Sequence, residues 1–310
     1  MRIAIIGAGG VGGYFGARLA RGGEDVTFIA RGAHLSAMKR NGLAIHSALG
    51  DLVLNPVKAT QDAAGVGAVD LVMIASKLWS TDESIDTARP MMGPDSAILS
   101  FQNGVEAEDK LIAAFGRERV LGGVANIAAL IESPGVIRHN GTMALLQFGE
   151  LDGSRSPRVD ALEAACRRAD VDCRVPDDIL KAIWEKFVFL ASLSAMTTLT
   201  RLPLGPLRED ADTRALFRQL SDEVVAVGRA KGVPLGDGTT DAMLARLDGL
   251  PGGMVASMQG DLIRGNRLEL PWLSGGVVTL GRSLGVPTPA HQFVYAALKL
   301  YADGRPADAR

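Results

Sequence analysis

Residues 2–13 read Arg-Ile-Ala-Ile-Ile-Gly-Ala-Gly-Gly-Val-Gly-Gly, and no other stretch restricts the fold of this chain as strongly. Arg2 to Ile6 is a short apolar, β-branched run, too short for a helix and suited to a strand buried on both faces. Gly7, Gly9 and Gly12 follow at G-x-G-x-x-G spacing. From Val11 to Leu19 the pattern predicts a helix with Gly12, Gly13, Gly16 and Ala17 giving it a thin side. In such a strand–turn–helix, Gly7 permits the tight turn, Gly9 lets backbone approach a pyrophosphate, and Gly12 lets helix and strand pack closely. The segment Gly7, Ala8, Gly9, Gly10, Val11, Gly12 is thus a candidate dinucleotide-phosphate site, with a helix N-terminus offering N–H groups and a positive dipole end. A glycine-rich turn without a ligand is the plainer alternative. A second strand predicted at Asp25 to Ala30 favours the nucleotide.

That second strand ends at Arg31. An NAD-preferring fold places Asp or Glu near this point to accept from the ribose 2′-hydroxyl. A guanidinium suits a 2′-phosphate instead, which favours NADPH over NADH, unless Arg31 is merely a surface residue. Leu43 to His46 and Asp51 to Leu54 predict a hairpin with Gly50 in its turn. Val69 to Ala75 is another buried strand, followed by Ser76 and Lys77, and Lys77 lies where open α/β sheets bind ligands. Ala97 to Phe101 delivers Gln102-Asn103-Gly104. Asn-Gly after a strand is either a simple turn or, at this same carboxyl edge, a pair that places the Asn103 amide in a binding site. Further strands are expected at Val120 to Ile131, Gly135 to His139 and Met143 to Phe148, then a helix at Pro157 to Arg168 and a strand at Asp172 to Val175.

Beyond Pro176 the strand signal ends. Helices are predicted at Asp177 to Leu199 with Asp177 as N-cap, then at Asp212 to Lys231, Gly238 to Leu247, Met254 to Arg264, Leu270 to Gly285 and His291 to Tyr301. The chain therefore divides into an α/β domain over 1–175 and an all-helical domain over 176–310, whose tail from Asp303 reads as loosely held. From Phe187 to Thr200 no residue is charged, so this helix should be the buried spine of the second domain. Lys186 stands at its edge, on one side with Leu190 and Ser194. One reading has Lys186 in an interdomain cleft, polarising a carbonyl and donating a proton, its pKa lowered by desolvation. The other has a lysine snorkelling to water from a buried helix. Glu269, just before Leu270-Pro271, reads either as helix-start charge or as a carboxylate kept ionised to orient a lysine or a substrate hydroxyl. Trp272 beside it fits a pocket wall and a core position equally.

Charge and composition narrow the classes. A net charge of −2 gives no footprint for nucleic acid or an anionic membrane. No apolar run is long enough to span a bilayer, and no secretory signal is visible ahead of the glycine turn. Cys166 and Cys173 are expected to stay thiols in a reducing cytoplasm, and four scattered histidines offer no metal cluster. A helical domain of this kind can pair into a homodimer, though no stretch identifies an interface.

Taken together, the glycine turn, Ser76-Lys77, Gln102-Asn103-Gly104, Trp184-Glu185-Lys186, Ser257-Met258 and Glu269 resemble the ketopantoate reductase (2-dehydropantoate 2-reductase) family over essentially the whole chain. The resemblance implies a Rossmann-type α/β domain and an all-helical domain around a cleft. It implies reduction of 2-dehydropantoate to (R)-pantoate with NADPH, in pantothenate biosynthesis. It makes Lys186 the general acid, Glu269 its catalytic partner, Ser257 a contact to the substrate carboxylate, and Asn103 a contact to substrate and nicotinamide. Arg31 and Lys77 become the groups that favour NADPH. Three positions depart from the family pattern: Leu190, Ser194 and Met254 stand where substrate-binding asparagines are expected. A binding site that loses buried polar groups changes which hydroxyls and carboxylates it can satisfy. The sequence therefore leaves open a paralogous reductase of another small 2-oxo acid. It also leaves open a nucleotide sensor without turnover and a hydroxyacid dehydrogenase working in the oxidative direction, which Arg31 disfavours.

Overall fold

A computed structural model describes residues 1–306 of the chain. Met1–Gln102 and Glu106–Ala182 form one compact unit, and Asn103–Val105 with the chain from Ile183 forms a second. The first unit begins β1 (Arg2–Ile6), α1 (Gly10–Arg21), β2 (Asp25–Ile29), α2 (Gly32–Asn41), β3 (Leu43–Ser47), β4 (Leu52–Leu54), β5 (Ala59–Thr60) and β6 (Val69–Ile74). It continues with α3 (Thr81–Ala88), β7 (Met92–Ser100), α4 (Ala107–Phe115), β8 (Val120–Ser133), β9 (Val136–Glu150), α5 (Pro157–Arg168) and β10 (Asp172–Arg174).

All ten strands belong to one sheet, ordered β4-β3-β9-β8-β7-β6-β1-β2-β5, with β10 added beside β9. From β8 to β5 every pairing is parallel, as continuous apolar strands covered on both faces require. β1 lies between β2 and β6, so the chain leaves β1 toward one side and later returns on the other. That reversal opens a crevice at the strands' carboxyl ends, where Gly7, Arg31 and Lys77 are found. The core beneath α1 is filled by Phe15, Phe28, Ile5 and Ile137. The predicted strands at Gly135 to His139 and Met143 to Phe148 prove to be a single strand, β9, antiparallel to β8. The gap left between them, residues 140–142, is absorbed as a register shift within the ladder, with Gly141 at positive φ.

The second unit is helical: α6 (Ile179–Thr200, from Ile183), α7 (Leu204–Glu209), α8 (Ala211–Ala230), α9 (Thr239–Asp248), α10 (Ser257–Arg264), α11 (Ser274–Leu284) and α12 (Pro289–Leu298). The uncharged stretch of α6 is its spine, with Phe187, Val188 and Ala191 through Thr198 buried. Trp184 packs edge-on to Phe187, and its indole is so close to α8 that a methyl at Gly228 would meet it.

Several boundaries move for identifiable reasons. Asp178, not Asp177, caps α6, its carboxylate accepting from the Lys181 N–H at 2.9 Å. The helix expected from Met254 begins at Ser257, because Met254 is tied back to Leu204 by backbone. The helix expected from Leu270 begins at Ser274, because residues 269–273 form a separate turn in which Trp272 and Leu273 both donate to the Glu269 carbonyl. Glu269 is therefore not helix-start charge. The tail is held as far as it is described: Leu268 N–H donates to Ala302 and Arg305 N–H to Gly265. Residues 307–310 lie outside the described residues.

Candidate active site

The glycine turn is shaped as the spacing requires. Gly7 has φ +96°, and a side chain there would strike the backbone of Ser76 beyond β6. A methyl on Gly12 would run into the Gly7 carbonyl and Ile5. Gly9 differs: a methyl there meets nothing within 4 Å. The chain thus leaves open space in front of Gly9 while closing it around Gly7 and Gly12. Gly9 is also the N-cap of α1, with no side chain satisfying the first N–H groups of that helix. Open space, free amide donors and a positive dipole end together make a cradle for a pyrophosphate, so the turn fits a dinucleotide. Around it, Arg31 is the N-cap residue of α2 and Lys77 follows β6, with its ammonium 5.7 Å from the Trp79 ring centre. Arg31 forms an ion pair with Glu83 of α3 at 2.5 Å. The Arg31 guanidinium holds the Glu83 carboxyl below its usual range, and Glu83 in turn raises Arg31.

In the second unit, three of the residues singled out from sequence meet. The Lys186 ammonium donates to Asn103 Oδ1 at 3.1 Å. Asn103 Nδ2 donates to Glu269 Oε2 at 3.4 Å, a long bond. Glu269 is buried, while Lys186 and Asn103 are half-buried. The two bonds fix the Asn103 amide, its oxygen toward the cation and its nitrogen toward the carboxylate. Asn103 reaches this place because Gly104 beside it takes φ +99°.

Gln102, which sequence reasoning noted only as part of a motif, anchors the end of β7. Its Nε2 donates to the Lys77 carbonyl at 3.1 Å and to Ser76 Oγ at 3.3 Å, and its Oε1 accepts from Thr81 at 3.2 Å and Ser100 at 3.1 Å. A buried amide whose hydrogen-bonding capacity is so fully used holds its backbone firmly. The signal available was a long polar residue ending a strand too apolar to expose it.

The remaining candidates lie on α6, on α10 and in the segments that flank α10. Leu190 is half-buried one turn beyond Lys186, and Ser194 one turn further is buried with its Oγ unpartnered. Ser257 is exposed at the first position of α10, a helix with no side-chain cap. Met254 and Trp272 are half-buried, the latter under the Arg267 guanidinium at 5.7 Å.

Chemically, the Lys186 group offers a cation with protons to give, held by an amide that is itself held by a carboxylate. Comparison with known proteins bears on what such a group does. Residues 3–153 match the family model described as ketopantoate reductase PanE/ApbA, and residues 178–302 match its C-terminal counterpart. A 2-dehydropantoate 2-reductase of Mesorhizobium japonicum is 33% identical over 323 residues, covering 97% of this chain and 98% of that protein. An uncharacterized oxidoreductase of Bacillus subtilis, YkpB, is 34% identical over 301 residues, covering 97% and 99%. The crystal structure of 2-dehydropantoate 2-reductase from Geobacter metallireducens superposes with a TM-score of 0.88 at 33% identity, covering 96% of this chain and 99% of that one.

Proposed function

Because the chain belongs to the ketopantoate reductase family and is an NADP-dependent oxidoreductase acting on CH–OH groups, we propose that it reduces the ketone of a small 2-oxo acid, with 2-dehydropantoate as the leading substrate and Lys186 as the proton donor. The observation that carries this reading is the Lys186–Asn103–Glu269 chain of hydrogen bonds. NADPH supplies the hydride when bound, and the glycine turn with Arg31 and Lys77 would hold it. As the carbonyl carbon accepts the hydride, charge develops on its oxygen. A Lys186 N–H not used by Asn103 meets that oxygen, stabilises it and transfers a proton to it. The alcohol leaves with one added C–H and one added O–H bond, and Lys186 regains its proton from solvent. Asn103 orients the ammonium, and the buried Glu269 carboxylate holds the Asn103 amide in place. Ser257, exposed at the start of α10, would receive the substrate carboxylate together with the amides of that helix N-terminus. If the substrate is 2-dehydropantoate, the role is in pantothenate biosynthesis, in the cytoplasm.

A second reading rests on Leu190 and Met254. Both are half-buried apolar side chains at positions where the family is expected to use asparagine. They favour a 2-oxo acid with an apolar side chain over one carrying a hydroxyl. An assay of NADPH oxidation with 2-dehydropantoate beside 2-oxo acids bearing branched or aromatic side chains separates the two. Turnover concentrated on 2-dehydropantoate supports the first, and turnover concentrated on an apolar 2-oxo acid supports the second. NADPH binding without turnover of any 2-oxo acid overturns the assignment of Lys186.

A further inference from the structure

Arg31 does not face solvent alone. Its Nη1 lies 2.5 Å from Oε1 of Glu83, in the first turn of α3, with the two side chains 65% and 53% exposed. The other acid of that turn, Asp82, is engaged elsewhere, by the Lys110 ammonium at 2.8 and 3.0 Å. Glu83 is thus the carboxylate that the first turn of α3 directs at Arg31. Resting on the assignment of Arg31 to the 2′-phosphate, we infer that Glu83 sets how strongly this chain prefers NADPH over NADH, by competing with that phosphate for the Arg31 guanidinium.

A guanidinium offers a limited fork of donors, and a carboxylate already on it must yield or share when a phosphate arrives. A carboxylate left beside a phosphate dianion also repels it. Neither penalty applies to NADH, whose 2′-hydroxyl is neutral and does not call on Arg31. A carboxylate at that position can accept a hydrogen bond from the hydroxyl, which is the use dinucleotide folds make of an acid near the ribose. Glu83 therefore weakens one cofactor and not the other, narrowing a preference that Arg31 and Lys77 would otherwise make steep. Because the pair is exposed, its strength is modest and salt-dependent.

The test is the variant Glu83→Gln, which keeps shape and removes charge, in a direct binding measurement. Dissociation constants of NADPH, NADH and adenosine 2′,5′-bisphosphate are measured by titration calorimetry at low and moderate ionic strength. NADPH and adenosine 2′,5′-bisphosphate are expected to bind roughly three- to tenfold more tightly, the scale of an exposed ion pair plus one like-charge contact, with the gain shrinking as salt rises. NADH is expected to bind no more tightly. In an Arg31→Ala background most of the gain from Glu83→Gln should disappear. Unchanged or weaker NADPH binding in Glu83→Gln overturns the inference, as does equal tightening of NADPH and NADH, which would be a general charge effect. A wild-type chain that binds none of the three nucleotides removes the cofactor reading itself, an outcome visible before any variant is made.

Discussion

The nucleotide turn and the Lys186 group are built on opposite plans. The turn is written in backbone: within residues 7–12, Gly7 and Gly12 lack side chains because neighbouring atoms leave no room for them, while Gly9 faces open space. The Lys186 group is written in side chains from three segments, its bonded partners lying 83 and 166 residues apart in the chain. A backbone site fails when an atom is added, whereas a side-chain site fails when a functional group is removed. Damage to the first should appear in binding, and damage to the second in turnover.

Lys186→Ala is the sharpest way to test that division. Removing the proposed proton donor should lower kcat by roughly 10²- to 10⁴-fold while the NADPH dissociation constant stays within about twofold. Steady-state kinetics paired with a nucleotide fluorescence titration would check both. A parallel collapse of NADPH binding would erase the contrast between the two sites.

Gly12→Ala is the reciprocal experiment. The added methyl meets the Gly7 carbonyl and Ile5, so helix and strand must separate. Overpacking of this kind costs about 1–3 kcal/mol. NADPH binding should weaken roughly tenfold to a hundredfold, at about tenfold per 1.4 kcal/mol, with kcat at saturating cofactor largely kept. A loss confined to kcat would show that the turn does more than hold phosphates.

The same difference in plan explains what was legible in the sequence. The parallel sheet and the glycine turn could be read from residues 2–13 because their cause is local: β-branched runs, then glycines at fixed spacing. α6 could be read because fourteen positions without a charge, Phe187 to Thr200, admit only burial. Asn103 meeting Lys186 could not be read from spacing. It depends on Gln102 being pinned by Ser76, Lys77, Thr81 and Ser100, a network assembled from several strand ends. Glu269 was placed one turn too close to a helix. Pro271 resembles a first-turn proline, yet backbone bonds to the Glu269 carbonyl close a separate turn before α11 starts. The pairing of Arg31 with Glu83 was invisible for the same reason as the Asn103 contact: nothing local brings them together.

The contrast extends to stability, where the second unit hides a titrating group in its core. His291 is fully buried, its Nε2 donating to the Leu220 carbonyl at 3.1 Å while Nδ1 has no partner. Burial pushes its pKa down from 6.5 to about 4. The folded chain therefore refuses a proton that the unfolded chain accepts between those values. His291 leaves stability intact above about pH 6.5, and the loss grows as pH falls toward 4. At 1.36 kcal/mol per pH unit, its share of the loss between pH 7 and pH 5 is about 2 kcal/mol. Glu223, which accepts from the Ala290 and His291 N–H groups at 2.8 and 2.9 Å, has its carboxyl pushed up by burial and returns part of that loss. In the first unit His34 is also lowered by burial, so the wild-type slope contains both histidines. His291→Gln isolates one of them, since a glutamine can donate to Leu220 and does not titrate. Urea unfolding followed by tryptophan fluorescence should show the variant losing about 2 kcal/mol less than wild type between pH 7 and pH 5. Coincident slopes would remove His291 as a source of the acid sensitivity and leave His34 in the first unit, lowered by burial, as the histidine that titrates.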